Sequence, residues 1–224
     1  MKDFYLKYKH GIPLLIYGII YGSWFAWLEK TVTKPKTIIH MTWDDYIPFC
    51  EYFIIPYLLW FGYIAVVVLF FFFKDKEDYY RVCLFLFTGM TIFLIVSTLW
   101  PNGHHLRPHI GTNENFFTQL VGRLYRTDTP TNLWPSIHVY NSIGVHVAVS
   151  HSKRLRDHKW VQGGSLLLCI SIILSTMFLK QHSVFDVITA FIMAIGMYLL
   201  VYQVDIITLY RTRGNHEEKR IPQI

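Results

Sequence analysis

Residues 52–73 read YFIIPYLLWFGYIAVVVLFFFF, which is a run of 22 residues without an acidic or basic side chain. About 20 predominantly apolar residues are enough for a helix to cross the hydrocarbon core of a bilayer. Hydrophobic residues make up 53% of the chain and charged residues only 16%, so the run is no exception within this sequence. It therefore predicts a transmembrane helix.

Five further stretches have the length and composition of a span. The six candidates are approximately residues 11–28, 52–73, 82–99, 135–152, 160–179 and 187–204. The stretches between them, the longest of which are 29–51 and 101–134, leave no room for a soluble domain. Every backbone polar group inside a bilayer must be satisfied within its own helix. We therefore predict an all-α fold, a polytopic six-helix transmembrane bundle that forms one domain over residues 1–224.

The fourth candidate span, residues 135–152, differs from the others because polar side chains interrupt it. It contains no Asp, Glu, Lys or Arg, but it holds His138, Asn141, His146 and His151. Polar groups inside a spanning helix are costly and usually face the bundle interior or a water-filled cavity. We therefore expect this helix to line a site, the alternative being a helix that lies on the membrane surface.

A short interfacial helix is expected in the first long connection. Thr42 with Asp45 three residues later forms a weak capping signature. The aromatic residues Trp43, Tyr46 and Phe49 are then expected to anchor the helix at the membrane surface, with no chemical role.

The distribution of basic residues predicts the orientation, because Lys and Arg near the ends of spans are retained in the cytoplasm. One side of the predicted bundle carries fourteen of the 21 Lys and Arg residues, namely Lys2, Lys7, Lys9, Lys74, Lys76, Arg81, Lys153, Arg154, Arg156, Lys159, Arg211, Arg213, Lys219 and Arg220. The other side carries Lys30, Lys34, Lys36, Arg107, Arg123, Arg126 and Lys180. We therefore predict an integral membrane protein with both termini in the cytoplasm and the active site on the extracellular, periplasmic or lumenal face; the plasma membrane is the favoured location. The connection 101–134 and the turn between the last two spans then lie on the external face.

A candidate nucleophile lies in the stretch STMFLKQHSVFD, residues 175–186, where His182 precedes Asp186 by four residues. Residues four apart share one face of a helix, so the carboxylate can accept a proton from one ring nitrogen while the other nitrogen faces a reacting atom. This arrangement is the base-and-carboxylate half of a catalytic triad. The alternative is a pair whose members only satisfy each other inside the bundle.

Two further elements fall on the same predicted face. Arg107-Pro108 lies in the loop after the third span, and the fourth helix begins with Pro135-Ser136-Ile137-His138. A helix N-terminus leaves backbone amides unpaired and is a ready site for an anion. A guanidinium, a polar helix end, a second histidine and the nucleophile pair together indicate the binding of a phosphoryl group.

These residues resemble the type 2 phosphatidic acid phosphatase superfamily of membrane lipid phosphatases and lipid phosphotransferases. The pattern of that superfamily is KxxxxxxRP, then PSGH, then SRxxxxxHxxxD. The matching residues here are Arg107, Pro108, Pro135, Ser136, His138, Ser175, His182 and Asp186. Three positions depart from the pattern: Trp100 stands in place of the Lys, Ile137 in place of the Gly and Thr176 in place of the Arg.

The resemblance implies roles for the matching residues. His182 would attack phosphorus to form a phosphohistidine, Asp186 would fix its tautomer, and His138 would act as general acid and then as general base. The groups expected to hold the phosphoryl oxygens are Arg107, the Ser136 hydroxyl, the Ile137 backbone amide, Ser175 and Lys180. The expected activity is that of a metal-independent phosphoric ester hydrolase without a cofactor.

The departures open a second interpretation, because two of the superfamily's phosphate-binding cations are absent. The sequence before the nucleophile is more similar to the branch that contains the inositol phosphorylceramide synthases, which transfer a phosphorylated head group between lipids. Lys180, Arg123 or Arg126 would restore the missing charge, and an interfacial anchor is the equal alternative for Lys180.

Metal and nucleic-acid chemistry are not favoured. His104, His105 and His109 lie near Glu114, but their spacing matches no zinc signature, so we expect solvated loop histidines and no metal. The chain has neither a glycine-rich nucleotide loop nor interleaved aromatic and basic residues. The expected partners are a lipid phosphate and the bilayer, and nothing indicates an oligomeric state.

Three functions therefore remain after the sequence is read. The leading one is a phosphatase acting on a phospholipid or a polyprenyl phosphate at the external face. The second is a lipid phosphotransferase that uses the same phosphohistidine with a hydroxyl acceptor. The third is a proton-coupled transporter in which the His and Asp residues carry protons.

Overall fold

Long helices dominate the structure, a computed structural model that describes residues 6–111 and 115–207. The named α-helices are α1 (Ile12–Thr31), α2 (Thr42–Tyr46), α3 (Ile54–Lys74), α4 (Lys76–Leu99), α5 (Phe116–Thr127), α6 (Ile137–His151), α7 (Lys159–Phe178) and α8 (Val184–Tyr198). Short 3-10 helices, Lys9–Gly11 and Glu51–Phe53, precede α1 and α3, and a π-helical turn, Leu199–Gln203, extends α8. The strands are β1 (Thr37–Ile38) and β2 (Asn102–Gly103).

Five stretches of helix are long and apolar enough to cross a membrane. They are Leu6–Thr31, Glu51–Lys74, Lys76–Leu99, Lys159–Phe178 and Val184–Gln203. Over the described ranges, the only strands assigned are the two that contain two residues each. The prediction of an all-α, polytopic membrane bundle is therefore confirmed.

The remaining predicted span, residues 135–152, corresponds to α6, which has only 15 residues. A helix of that length is about 22 Å long, whereas the hydrocarbon core is about 30 Å thick. The helix nevertheless runs beside α8 from end to end. At one end the Ser136 N–H donates to the Asp186 carbonyl, and at the other the ring of His151 packs against Tyr198. The sixth crossing stays a prediction.

Helix α6 occupies the centre of the bundle, where it packs against α3, α4, α7 and α8. Close approach to α4 depends on two glycines. A Cβ atom on Gly144 would lie 2.4 Å from the Phe85 ring, and one on Gly89 would lie 1.9 Å from the Tyr140 ring. These two rings stack at 4.9 Å, and the Tyr140 hydroxyl donates to the Phe85 carbonyl at 2.8 Å. The central helix is thus fixed against its neighbour by van der Waals contact and by a buried hydrogen bond.

Capping residues, and not hydropathy, determine where α4 begins. The apolar run predicted a span from residue 82, but the helix starts at Lys76 because the Asp75 side chain accepts the N–H groups of Glu77 and Asp78 at 3.0 and 3.2 Å. The charged first turn lies outside the apolar run but is still helical.

A two-stranded parallel sheet joins the connection after α1 to the connection after α4. Strands β1 and β2 pair in parallel, with Thr37 opposite Asn102 and Ile38 opposite Gly103. The expected short helix is present as α2, but its cap differs from the prediction. The Asp44 carboxylate accepts the Met41 N–H at 2.8 Å, so the cap does not involve Thr42 and Asp45 as expected. Trp43 and Tyr46 are exposed, as expected of interfacial aromatics.

The basic residues assigned to the cytoplasm cluster at the opposite end of the bundle. There Arg81 pairs with Asp205 at 2.8 Å, and Arg154 lies 3.7 Å from Asp75. Some residues used in the sequence argument lie outside the described part of the chain: Lys2, Glu114, Arg211, Arg213, Lys219 and Arg220. The cytoplasmic location of both termini stays a prediction.

Candidate active site

Two histidines meet at one end of the bundle. The Nε2 atom of His182 lies 3.4 Å from the Nδ1 atom of His138, and the ring centroids are 5.6 Å apart. His182 lies in the turn between α7 and α8, whereas His138 lies in the first turn of α6, 44 positions away in sequence. The structure thus brings together the two imidazoles that the sequence placed in one pocket.

The Asp186 carboxylate lies behind His182. Its Oδ2 atom is 3.4 Å from the Nδ1 atom of His182 and accepts the Ser183 N–H at 3.0 Å. Ser183 caps α8, and its hydroxyl oxygen in turn accepts the Phe185 N–H at 3.2 Å. This reciprocal capping box explains why α8 begins here, and it holds a fully buried carboxylate against the imidazole.

The C-terminal turn of α7 fixes the backbone of His182. The carbonyl oxygen of Thr176 accepts the N–H groups of both Gln181 and His182, at 2.9 and 3.0 Å. Lys180 turns the chain with a φ of 52°, which lies in the left-handed region that side chains other than glycine rarely adopt. The loop between the last two long helices is therefore a tight, hydrogen-bonded turn.

The imidazole of His182 is uncharged at neutral pH. Only 5% of the residue is exposed, and burial, together with the nearby Arg107 guanidinium, lowers the pKa of His182 to about 3. A carboxylate that faces Nδ1 favours the proton on that nitrogen. The lone pair then remains on Nε2, on the side of His138.

Aromatic rings from α3 form the wall behind His138. The imidazole stacks on the Tyr57 ring at 4.7 Å and lies 4.3 Å from the Trp60 ring. Ser136 is the N-cap of α6, and its hydroxyl oxygen accepts the Val139 N–H at 3.4 Å. Ile137 is the first residue of the helix, so its backbone amide belongs to the unpaired N-terminal group.

Arg107 is held by backbone carbonyl groups. Its Nη1 donates to the carbonyl oxygens of Tyr125 and Asp128 at 3.2 and 2.7 Å, and its Nη2 donates to that of Thr129 at 3.3 Å. Nη2 also donates to the side-chain oxygen of Gln181. The guanidinium lies over the Tyr125 ring at 4.6 Å. The predicted phosphate-binding cation is therefore preorganised beside the loop that carries His182.

Two buried donors next to the nucleophile have no hydrogen-bond partner within residues 6–111 and 115–207. They are Nε of Arg107 and Nε2 of Gln181. A guanidinium only donates, so the oxygen of the Gln181 amide faces Arg107 and the amide nitrogen must point elsewhere. Buried donors normally find partners. These two atoms are therefore available to an anionic ligand.

A comparison with protein families bears on this arrangement. The model of the PAP2 superfamily matches residues 106–206, which include Arg107, His138, His182 and Asp186. Over these 101 of its 224 residues, the chain is similar to the PAP2 superfamily. A search of curated proteins and a search of solved structures found no match. The recognition of this superfamily from three short motifs is confirmed.

The other residues expected to bind phosphate are either bonded elsewhere or exposed. The Ser175 hydroxyl donates to the Ile172 carbonyl of its own helix at 2.6 Å. The ammonium of Lys180 donates to the Asp44 carbonyl at 2.7 Å. Arg123 and Arg126 are exposed on α5. Among the four basic residues considered for the phosphate, it is therefore Arg107 whose side chain contacts the turn that carries His182, through Gln181.

His104 is a site residue that the sequence interpretation missed. We expected a solvated loop histidine, and this was wrong: only 1% of the residue is exposed. Its Nδ1 accepts the Leu106 N–H at 3.2 Å, and its Nε2 therefore donates to the Gln181 carbonyl at 2.9 Å. Burial lowers the pKa of His104 to about 4, so the ring is neutral. His105 and His109 are exposed, as expected.

Asp44 is a second residue that was missed. The sequence interpretation gave α2 an anchoring role only, yet the Asp44 side chain is 2% exposed and accepts hydrogen bonds from both Ser183 and Val184. These residues are 139 and 140 positions away. A contact at that separation leaves no periodic or motif signal in a single sequence.

Proposed function

We propose that this protein is an integral-membrane lipid phosphate phosphatase, which hydrolyses a phospholipid or polyprenyl phosphate through a phosphohistidine intermediate. The observation that carries the proposal is the contact series from Asp186 through His182 to His138, with 3.4 Å at each step. Similarity to the PAP2 superfamily supports phosphatase or phosphotransferase chemistry over proton-coupled transport.

In the first half of the reaction, His182 is the nucleophile. Its Nε2 lone pair forms a bond to phosphorus while the bond from phosphorus to the lipid oxygen breaks. The ring becomes positively charged as this happens, and the Asp186 carboxylate beside Nδ1 stabilises that charge. His138 gives a proton to the departing alkoxide, so the lipid leaves as a neutral alcohol.

In the second half, water takes the place of the lipid alcohol. His138, now without its proton, accepts a proton from the water as the water oxygen attacks phosphorus. The bond from phosphorus to Nε2 breaks, inorganic phosphate leaves, and His182 recovers its lone pair. One residue thus acts as acid and then as base, which requires it to lie within reach of the same phosphorus atom in both steps.

The phosphoryl oxygens are held by donors around the histidine pair. Nε of Arg107 and Nε2 of Gln181 are buried and lack partners in the described parts of the chain, which supports them as ligands. The Ser136 hydroxyl and the backbone amide of Ile137 add donors at the positive end of α6. A preorganised set of this kind stabilises the charge that develops on the transferred group.

The charge distribution supports an external location of the reaction. Lys74, Arg81 and Lys153 lie at the bundle end that is opposite to the histidine pair, and basic residues mark the cytoplasmic side. The site then opens to the outside of the cell, where a lipid phosphate of the outer leaflet reaches it directly.

A phosphate-release assay tests the proposal. Purified protein is incubated with a panel of phospholipid and polyprenyl phosphates, and inorganic phosphate is measured. We expect turnover in the absence of divalent metal, and we expect that His182→Ala abolishes both turnover and an acid-labile phosphoprotein. His109→Ala changes an exposed histidine of the same external connection and serves as the control. Full turnover by the His182 variant would refute the mechanism.

A lipid phosphotransferase is the second candidate, and the charge of the site favours it. A phosphate monoester carries close to two negative charges at neutral pH, whereas a diester carries one. Arg107 is the cation that contacts the catalytic loop through Gln181, while Lys180 is bound to the Asp44 carbonyl. A site with one guanidinium suits a diester. Product that appears only when a hydroxyl acceptor such as inositol is added would support transfer, and free phosphate without acceptor supports hydrolysis.

A further inference from the structure

We propose that Asp44, in the short helix α2, is a positioning residue for the nucleophile. Its carboxylate holds the start of α8 so that Asp186 remains directed at His182. This inference rests on the proposed phosphohistidine chemistry and assigns to α2 a function beyond membrane anchoring.

The Asp44 carboxylate binds the two residues that directly follow His182. Its Oδ2 accepts the Ser183 hydroxyl at 2.6 Å, and its Oδ1 accepts the Val184 N–H at 2.8 Å. Oδ2 also accepts the Met41 N–H at 2.8 Å, which ties the carboxylate to its own segment. Both oxygens of a buried carboxylate are thus engaged, and two of the three bonds reach the catalytic loop.

The same segment holds the loop at its other end. Lys180 donates its ammonium to the Asp44 carbonyl at 2.7 Å, and the Cys50 N–H donates to the Phe178 carbonyl at 3.0 Å. The left-handed conformation of Lys180, with a φ of 52°, is unfavourable for a residue with a side chain. Contacts on both sides of His182 therefore keep the turn in an otherwise unfavourable shape.

Two carboxylates share the N-terminus of α8. The Asp186 carboxylate accepts a hydrogen bond from the Ser183 N–H. The Asp44 carboxylate accepts hydrogen bonds from the Val184 N–H and from the Ser183 hydroxyl. An N-terminal amide without a partner attracts the nearest negative group. If Asp44 did not occupy the Val184 amide, Asp186 would be drawn toward that amide and away from the imidazole. Asp44 thereby leaves Asp186 free to face His182.

The test compares Asp44→Asn with Asp45→Asn in membranes or detergent, on a lipid phosphate that the wild type turns over. Asp45 is the adjacent, exposed residue, and it pairs with His40 on the surface. For Asp44→Asn we expect kcat to fall about 10²-fold, as expected when reacting groups are displaced by about 1 Å. We expect KM and the inhibition constant of inorganic phosphate, which binds without a bond to the nucleophile, to stay within about threefold on the residual activity, because the phosphoryl ligands are untouched. Asp45→Asn should behave like wild type.

A merely structural role would give a different result. Loss of the folded site would weaken inhibition by inorganic phosphate and raise KM in parallel with the fall in kcat. That outcome overturns the proposal, as does an unchanged kcat. Ser183→Ala provides a milder variant if Asp44→Asn is not recovered from membranes. It should lower kcat in the same direction, and the double variant should lose no more than Asp44→Asn alone. An unchanged kcat in Ser183→Ala overturns the proposal as well.

The same assays distinguish failure of the proposed phosphohistidine mechanism from failure of the positioning role of Asp44. Absence of turnover in the wild type, or full turnover in His182→Ala, removes the phosphohistidine mechanism whatever Asp44 does. Turnover that depends on His182 but is insensitive to both Asp44→Asn and Ser183→Ala removes only the positioning role.

Discussion

Replacement of Asp186 by Asn isolates the contribution of one buried charge. Asn has nearly the same shape, and its side-chain oxygen can still accept the Ser183 N–H that Oδ2 accepts now at 3.0 Å. The change therefore removes the charge next to the imidazole with little change in packing. In the proposed mechanism, His182 becomes positively charged when phosphorus bonds to Nε2, and the carboxylate is 3.4 Å from Nδ1.

The size of the effect follows from Coulomb's law. At 3.4 Å and an effective dielectric constant of about 20, opposite unit charges attract by about 5 kcal/mol. Loss of that attraction in the transition state lowers the rate by about 10³- to 10⁴-fold, since each 1.36 kcal/mol is a factor of ten. We expect a fall of that size in kcat, measured by release of phosphate from a lipid phosphate.

The control for this prediction is Asp45→Asn, which removes a carboxylate from the surface. Both variants should be recovered from membranes in equal amounts and should melt at similar temperatures in detergent. A fall of less than about tenfold for Asp186→Asn would show that the carboxylate does not stabilise a charged imidazole, because the attraction at this distance exceeds that amount by several kcal/mol.

Three further predictions concern binding, pH and packing. Gln181→Met removes a buried donor and a partner of Arg107, so kcat/KM for the lipid phosphate should fall about tenfold to hundredfold; a value equal to wild type would exclude Gln181 from phosphoryl binding. His104 and His182 have pKa values lowered by burial to about 4 and about 3 from 6.5, so the unfolded chain binds protons that the folded chain does not. The contribution of these two histidines to stability is therefore most favourable above pH 6.5 and decreases as pH falls toward their folded pKa values, by about 1.4 kcal/mol per pH unit for each histidine. Melting temperatures in detergent between pH 7 and pH 5 should show the loss, and His104→Asn should reduce its slope; equal slopes would contradict the assignment. Gly89→Ala places a Cβ atom 1.9 Å from the buried Tyr140 ring, so it should destabilise the bundle by about 1–3 kcal/mol or more. Gly62→Ala, where no atom lies within 4 Å of the new Cβ, should leave the melting temperature unchanged or raise it.

Hydropathy predicted the helices well because it measures the part of each helix that meets lipid. The run 160–179 corresponds to α7, Lys159–Phe178, within a residue at each end. The run 82–99 ends where α4 ends but begins six residues late, since the first turn of α4 is charged and is defined by the Asp75 cap. The run 187–204 likewise missed the start of α8 at Val184. Its capping box was visible in the sequence as Ser183 and Asp186, but we assigned the Asp to catalysis alone.

The site was predictable only where residues are close in sequence or fall in a motif. His182 and Asp186 are four apart, and His138 belongs to a short motif at a helix start. By contrast, the contacts of His104 with Gln181 and of Asp44 with Ser183 join positions 77 and 139 residues apart. Neither contact has a local pattern, because each depends on how the loops fold over the end of the bundle. An isolated His in a loop is more often solvated, and that expectation misled us at His104, whereas the sequence interpretation assigned no role to Asp44.

Gln181 joins two otherwise separate connections of the chain. Its backbone carbonyl accepts from His104, its side chain accepts from Arg107, and the next residue is His182. The loop after the third long helix and the turn before the last one are therefore not interchangeable modules. A chimera that imports either loop alone from another protein would misplace the His182 imidazole. Exchange of both loops together would preserve the hydrogen bonds of Gln181 that position it. Sequence variation in this region is consequently expected to be correlated, so that a change at one of these positions survives when the other changes with it.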